Sequence, residues 1–405
     1  MRRSVADLAI IVAVAAAANF IYFVCSNGDY FYPDSFTYLA PAKMLLTGHG
    51  FATKPGVPEV LRTPVYPLLL ALFGTRAVPV VVLQHGMNVA LAVGIYLFAM
   101  RRLGSRFVAM TAAILFAIDP PTIHYANKVL TETSFTALLF VAFVMGAEAG
   151  VPLLHGVLTG TLVITRPVAI AYFVVAAILR GRRRGTAIFV AAALAVPLAW
   201  AVRNRIVAGN FTVSVIGANN LLLHRAAGAM AILDEGDFDK DLETEQRDLL
   251  EEAHDLIEQK EHVAAAEDLP EGVRAPYYSA LARRVIVQHP IAFAVLTLRG
   301  LLVNVFDSDW DSIAIVSRLD ARTIELAVDA FVAIVFALAV AGVVALWSRD
   351  RALALLIAGT VGYFLIISAG GEAEARFRVP VVPEIVIAAA FGLEALRRAA
   401  SPEPR

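Results

Sequence analysis

Charge and cysteine are both scarce in this 405-residue chain. Asp, Glu, Lys and Arg together make up 17% of it, and Cys25 is the only cysteine. A single thiol excludes an intrachain disulfide and any zinc site built on cysteines. The residues before it, Tyr22-Phe23-Val24, do not read as a lipoprotein cleavage motif. Also missing are a Walker loop, a glycine-rich nucleotide fingerprint, a His-Glu-x-x-His pair and a nucleophile elbow, which argues against a nucleotide-driven pump. No internal repeat is visible, inverted or parallel.

Apolar residues fill the space that charge leaves. They form 59% of the chain, and counted with glycine and without tyrosine about 63%, against roughly 45–50% in soluble domains. Long apolar runs recur from Leu8 to Leu396, which describes a polytopic, all-α integral membrane protein and excludes a soluble globule. Arg2-Arg3 precede an apolar run without a small-x-small cleavage site, so it reads as a retained first helix. Further spans are expected near 79–100, 107–120, 130–147, 152–165, 168–180, 186–202, 324–347, 352–369 and 379–396, about ten in all and several of them short. Residues 1–405 form one membrane domain with no separate core, carrying a first outer loop at 27–78 and an outer segment at 203–323.

Charge assigns the sides. Arg2/Arg3, Arg101/Arg102/Arg106, Arg180/Arg182/Arg183/Arg184, Arg349/Arg351 and Arg397/Arg398 fall on one side if the spans alternate, and the positive-inside rule makes that side cytoplasmic, with both termini. The apolar run 291–305 then begins and ends on the outer side and lies along the interface or re-enters. Residues 225–275 hold 16 acids against 5 bases, and 238–268 reads as a solvated amphipathic helix. That segment excludes anionic polymers, binds a basic partner, or simply keeps an outer helix soluble.

Three groups of polar residues need a reason. Asp34 follows the first helix among aromatics, where a carboxylate is partly desolvated and can serve as a base, or where Pro33-Asp34 can cap a helix from Ser35 to Leu46. His124, Lys128 and Glu132 are spaced i, i+4, i+8, so a helix starting after Pro121 puts them on one face, lining a cavity or anchoring the helix through a Lys128–Glu132 pair. Arg166, Arg203, Arg205, Arg376 and Arg378 gather at the outer boundary against the positive-inside trend. Guanidinium suits a phosphate through bidentate hydrogen bonds, with snorkelling to headgroups as the plainer account. His49, His85, His155 and His289 are isolated and read as structural.

Several short motifs, in order along nearly the whole chain, resemble the bacterial GT-C membrane glycosyltransferases of glycosyltransferase family 39, which includes protein O-mannosyltransferases and the aminoarabinose transferase of lipid A modification. They are Asp34-Ser35 with Tyr38-Leu39-Ala40, Leu45-Leu46-Thr47-Gly48-His49-Gly50-Phe51, Leu61-Arg62-Thr63-Pro64-Val65-Tyr66-Pro67, Leu130-Thr131-Glu132-Thr133, Thr165-Arg166-Pro167, Trp200-Ala201-Val202-Arg203-Asn204, His289-Pro290 and Arg376-Phe377-Arg378-Val379-Pro380. The resemblance implies a GT-C bundle in the bacterial inner membrane that moves a sugar from a polyprenyl-phosphate donor to a glycan, lipid or protein acceptor at the outer face. It implies Asp34 as the catalytic base of an inverting displacement and Glu132 as an acidic partner that orients substrate or a polar neighbour such as Lys128. It also gives the outer arginines an anion: Arg203 and Arg378 foremost, then Arg166 and Arg62, are expected on the donor phosphate. His124, Lys128, Tyr38 and Arg376 are expected around the substrate cavity. No cofactor is required, a divalent metal is compatible, and nucleic acid is not a partner. The family's mannosyltransferases carry Asp-Glu where this chain has Asp34-Ser35, which weakens the inference of a protein acceptor. A secondary transporter or lipid flippase is the rival reading, but such proteins place charge near the midplane on helices related by repeats.

Overall fold

The computed structural model describes residues 2–181, 185–234, 236–307, 309 and 320–400. In chain order the first helices are α1 (Arg2–Cys25), α2 (Ser35–Leu46), α3 (Val65–Leu72), α4 (Ala77–Leu103), α5 (Arg106–Ala117) and α6 (Pro120–Ala126). There follow α7 (Glu132–Ala147), α8 (Pro152–Val163), α9 (Tyr172–Arg180), α10 (Thr186–Ala208), α11 (Ile216–Asn220), α12 (Ala227–Ala231) and α13 (Phe238–Glu261). The last are α14 (Glu271–Gln288), α15 (Pro290–Phe306), α16 (Ala321–Arg349), α17 (Arg351–Ile367) and α18 (Val382–Ala400). Among the described residues the only strands are β1 (Ala52–Lys54) and β2 (Val57–Pro58), an antiparallel hairpin between α2 and α3.

Each of the ten apolar segments expected to span coincides with a helix, but their lengths differ. Among the described residues five stretches are long and apolar enough to cross a membrane: Ser4–Cys25, Ala77–Leu103, Thr186–Ala208, Arg322–Arg349 and Ala375–Ala400. Two bent pairs raise the count to as many as seven, α5 with α6 at 52° and α14 with α15 at 101°. Four further apolar helical stretches are shorter, Glu132–Ala147, Pro152–Val163, Pro167–Arg180 and Arg351–Ile367, in keeping with the expectation that several spans are short. Pro290, which has no N–H to donate, begins α15 just after the sharper bend.

The bundle is held by close helix crossings. A Cβ placed on Gly342 of α16 would lie 1.8 Å from the Ala388 carbonyl oxygen, and one on Gly392 of α18 would lie 2.1 Å from that of Leu338. Small residues that let backbones meet are what membrane helices use in place of a hydrophobic driving force.

One end of the bundle is tied by the basic residues. Arg106 binds Asp7 through Nε at 2.8 Å and Nη2 at 2.5 Å, and the Tyr96 hydroxyl donates to the same carboxylate at 3.0 Å. Arg102 Nε donates to Asp350 at 2.8 Å, Arg349 to the Leu103 carbonyl at 2.7 Å, and Ser105 Oγ to Glu394 at 2.7 Å. These bonds gather the ends of α1, α4, α5, α16, α17 and α18 that the sequence grouped by charge. Arg182, Arg183 and Arg184 lie outside the described residues.

At the opposite end sit α2, α3, the hairpin and the outer segment. There α13 starts at Asp237, whose carboxylate accepts from the Asp239 and Lys240 amides, and it buries Leu242, Leu249, Ala253 and Ile257 on one stripe while its acids face outward. Those side chains join Leu222, Ala226, Tyr278, Leu281, Ala282 and Val285 in a cluster of their own. The helices of this segment thus pack on each other around an apolar stripe of their own.

Candidate functional site

Asp34 occupies the N-cap position of α2, yet its side chain makes no capping hydrogen bond. Ser35 Oγ serves the turn instead, accepting from the Tyr32 amide at 2.9 Å. The Asp34 carboxylate turns away and holds two guanidiniums: Arg62 Nη2 at 2.7 Å from Oδ1 and Arg376 Nη1 at 3.1 Å from Oδ2. Those arginines approach from residues 28 and 342 positions further along the chain.

The loop that presents Arg62 is built for it. Glu59 Oε1 accepts from the amides of Leu61 and Arg62 at 2.6 and 2.8 Å, and Thr63 Oγ1 donates to the Thr165 carbonyl at 3.0 Å. Arg62 itself lies over the Tyr38 ring, 4.4 Å from its centroid, and donates to the Tyr38 hydroxyl and to Thr37 Oγ1. Only two bonds of its fork go to hydroxyls, so a further anion can compete for them.

Arg376 extends the network. Its Nε lies 2.7 Å from Glu374 and 3.5 Å from Glu132, and Arg166 Nη1 lies 2.9 Å from the same Glu132 oxygen. The Arg166 contact is an ion pair rather than a well-angled hydrogen bond. Tyr32 donates from its hydroxyl to Glu374 at 3.1 Å. Three carboxylates and three guanidiniums thus neutralise one another where α2, α7 and the residues leading into α18 meet. A phosphate entering this cluster must take a guanidinium from a carboxylate.

Burial acts to raise the Asp34 carboxyl, but Arg62 and then Arg376 outweigh it and hold the group below the ordinary carboxylate range. It is ionised at neutral pH. Burial pushes Glu374 upward against the opposing pull of Arg376 and the Tyr32 hydroxyl. Should an anion draw Arg62 or Arg376 away, the same balance moves Asp34 up, toward a stronger base.

The other expected residues divide. His124, Lys128 and Glu132 do not share a helix face, because α6 ends at Ala126 and α7 starts at Glu132. Backbone groups in the break find partners elsewhere: Gln84 Nε2 donates to the carbonyls of Ala126 and Lys128, and the Val129 amide donates to that of Tyr30. Lys128 pairs with Asp29 at 2.6 Å and not with Glu132, while His124 meets the Tyr22 hydroxyl at 2.6 Å and Asp309 at 3.7 Å. Glu132 alone of the three reaches the Asp34 network.

Arg378 and Arg203, the foremost candidates for the donor phosphate, are both engaged by backbone carbonyls. Arg378, 3% exposed, donates to the carbonyls of Asn304, Val305 and Asp307 at 2.8–3.0 Å. Arg203 is held between the Trp200 and Phe51 rings and donates to the Glu59 and Phe51 carbonyls, both at 2.7 Å. Both brace loops around the site. Glu374 and Tyr32 were missed by sequence reasoning, although the alternation Glu372-Ala373-Glu374-Ala375-Arg376 put acids beside an outer arginine. Among the described residues no group of three His, Cys, Asp or Glu side chains is arranged to hold a metal ion.

No protein-family model and no curated protein matches the chain. Among solved structures it is similar to ArnT from Cupriavidus metallidurans bound to undecaprenyl phosphate, at 13% identity over 97% of this chain and 80% of that one, with a TM-score of 0.44. It is also similar to the archaeal oligosaccharyltransferase AglB from Archaeoglobus fulgidus, in complex with an inhibitory peptide and a dolichol-phosphate. That match has 11% identity over 98% of this chain and 52% of that one, with a TM-score of 0.46, so the chain spans about half the length of AglB.

Proposed function

We propose that the chain is a GT-C-type membrane glycosyltransferase, transferring a sugar from a polyprenyl-phosphate donor to a cell-envelope acceptor at the outer face of a bacterial inner membrane. The observation that carries this reading is the orientation of Asp34: a carboxylate at a helix N-cap that leaves the cap for Arg62 and Arg376. A carboxylate kept ionised beside two guanidiniums is equipped both to take a proton and to sit next to a bound anion.

In the proposed reaction the acceptor hydroxyl oxygen attacks the anomeric carbon and its proton passes to Asp34. The bond from that carbon to the phosphate oxygen breaks, and polyprenyl phosphate leaves with the electron pair. Arg62 and Arg376 turn from Asp34 to the phosphate as its charge grows, which stabilises the leaving group and frees the base at the same moment. Arg166, held by Glu132, supplies a third positive group, and Glu132 keeps both Arg166 and Arg376 in place before the donor arrives.

Purified protein in lipid nanodiscs, given a panel of labelled polyprenyl-phosphate sugars and membrane extract as acceptor, tests the reading. Transfer of label from one donor supports it and names the sugar. Energy-independent movement of lipid across the bilayer, with no transfer from any donor, would favour a flippase instead.

A further inference from the structure

Arg376 is held directly by Asp34, Glu132 and Glu374, and the chain leading to it is held from the segment 203–323. It follows a short strap, residues 368–375, that leaves α17 and carries Glu374. Four hydrogen bonds from a π-helical turn of the outer segment, Leu221–Ala226, hold that strap and the end of α17, and a further anchor lies beside Arg376 itself, where the Ala375 amide donates to Asp307 Oδ2 at 2.7 Å. Arg225 donates through Nη2 to the Ile367 carbonyl at 2.8 Å and to Glu372 Oε1 at 2.7 Å, and through Nη1 to the Ala369 carbonyl. The Gly371 amide donates to the His224 carbonyl at 3.3 Å. Leu242 of the acidic helix α13 packs at 3.3 Å from where a Gly371 Cβ would lie.

The fit leaves no slack. A Cβ on Gly370 would stand 2.5 Å from Arg225 Nε, and one on Gly371 would stand 2.7 Å from the His224 carbonyl oxygen. Arg225 and Glu372 are 13% and 12% exposed, so the pair is largely withdrawn from solvent. From Glu372 only four residues of chain lead to Arg376, and Glu374 within them already binds Tyr32 and Arg376. A shift at Arg225 therefore has little chain in which to die out before the Arg376–Asp34 contact, with the Ala375–Asp307 bond as the anchor between them.

We propose that Arg225 is the positioning residue for Arg376, so that the outer segment sets the geometry of the Asp34 site from outside the bundle. Its consequence for catalysis rests on the glycosyltransferase reading; the clasp itself does not. A bidentate fork is needed because one group must hold two carbonyls and a carboxylate at once, which an ammonium cannot do in fixed geometry.

The test uses the full chain in nanodiscs, comparing Arg225→Gln, Arg225→Lys and Glu372→Gln with Arg284→Gln. The last breaks the Arg284–Glu252 pair in the same segment without touching the strap. Hydrogen exchange at the amides of 370–376 should quicken in Arg225→Gln and Glu372→Gln but not in Arg284→Gln, with α4 unchanged in all. In transfer assays Arg225→Gln should lose up to about 10²-fold in kcat, the cost of a small misplacement of a reacting group. Donor KM should stay within about twofold, and Arg225→Lys should recover part of kcat. Unchanged exchange at the strap in Arg225→Gln would overturn the proposal, as would quickened exchange with kcat intact. If the wild type transfers no sugar, quickened exchange still supports the clasp, and it is the glycosyltransferase reading that fails.

Discussion

Glu132→Gln probes the ion network without any substrate. The Glu132 side chain is 2% exposed and that of Arg166 13%, and removing one partner from a buried ion pair costs about 3–5 kcal/mol. The lower end applies, because glutamine keeps an oxygen that can accept a hydrogen bond and Arg376 retains Asp34 and Glu374. Arg166 bears the loss: its remaining neighbours include the rings of Phe135 and Phe377, at 5.8 and 5.7 Å from their centroids. We expect Glu132→Gln to destabilise the protein by about 3 kcal/mol, and Glu132→Gln with Arg166→Met to regain about half of that, since the second change removes the stranded charge. Denaturant unfolding in mixed micelles, followed by far-UV circular dichroism, measures both. A single-variant cost below about 1 kcal/mol, the range of an exposed pair, would refute the argument. So would a double variant no more stable than the single one.

Two further outcomes follow from the site. Asp34 sits below the ordinary carboxylate range, so activity that needs its ionised form is present above its folded pKa and lost as pH falls through it. Arg62→Gln removes the larger lowering influence, and the acid limb of kcat/KM should move to higher pH; a limb that stays or moves down contradicts the assignment. Arg378→Ala should cost about 3 kcal/mol or more of stability, because three carbonyls lose a charged donor, and leave donor affinity of the folded protein unchanged. Weakened phosphate binding with an unaltered Tm would return Arg378 to the ligand set.

What the sequence made legible was local. Hydropathy located α1, α4, α10, α16 and α18 but not α14, and the acid-rich stretch read as a helix over 238–268 is one only over Phe238–Glu261. Charge sorted the two ends of the bundle, and contacts such as Arg102–Asp350 and Arg106–Asp7 gather those same ends. Asp34, Glu132, Arg62, Arg166 and Arg376 were all singled out, and the structure brings the five into one network.

What stayed hidden depends on partners distant in sequence. The spacing of His124, Lys128 and Glu132 suits a helix, and nothing local shows that Gln84 and Tyr30 satisfy the backbone well enough to break it. A guanidinium at an outer helix end looks the same in sequence whether it faces a ligand or holds carbonyls. What separates Arg203 from Arg376 includes distant partners, the Phe51 carbonyl 152 residues away for the one and Asp34 342 residues away for the other. The clasp by Arg225 escapes notice for the same reason.

The central claim is that Asp34 takes the proton in sugar transfer. Its most direct test is a single-turnover measurement with labelled donor bound to wild type and to Asp34→Asn, with donor binding measured separately. The account predicts that Asp34→Asn keeps its shape and binds donor, yet forms no product, because an amide cannot accept the acceptor proton. Product formed by Asp34→Asn at the wild-type rate would contradict it.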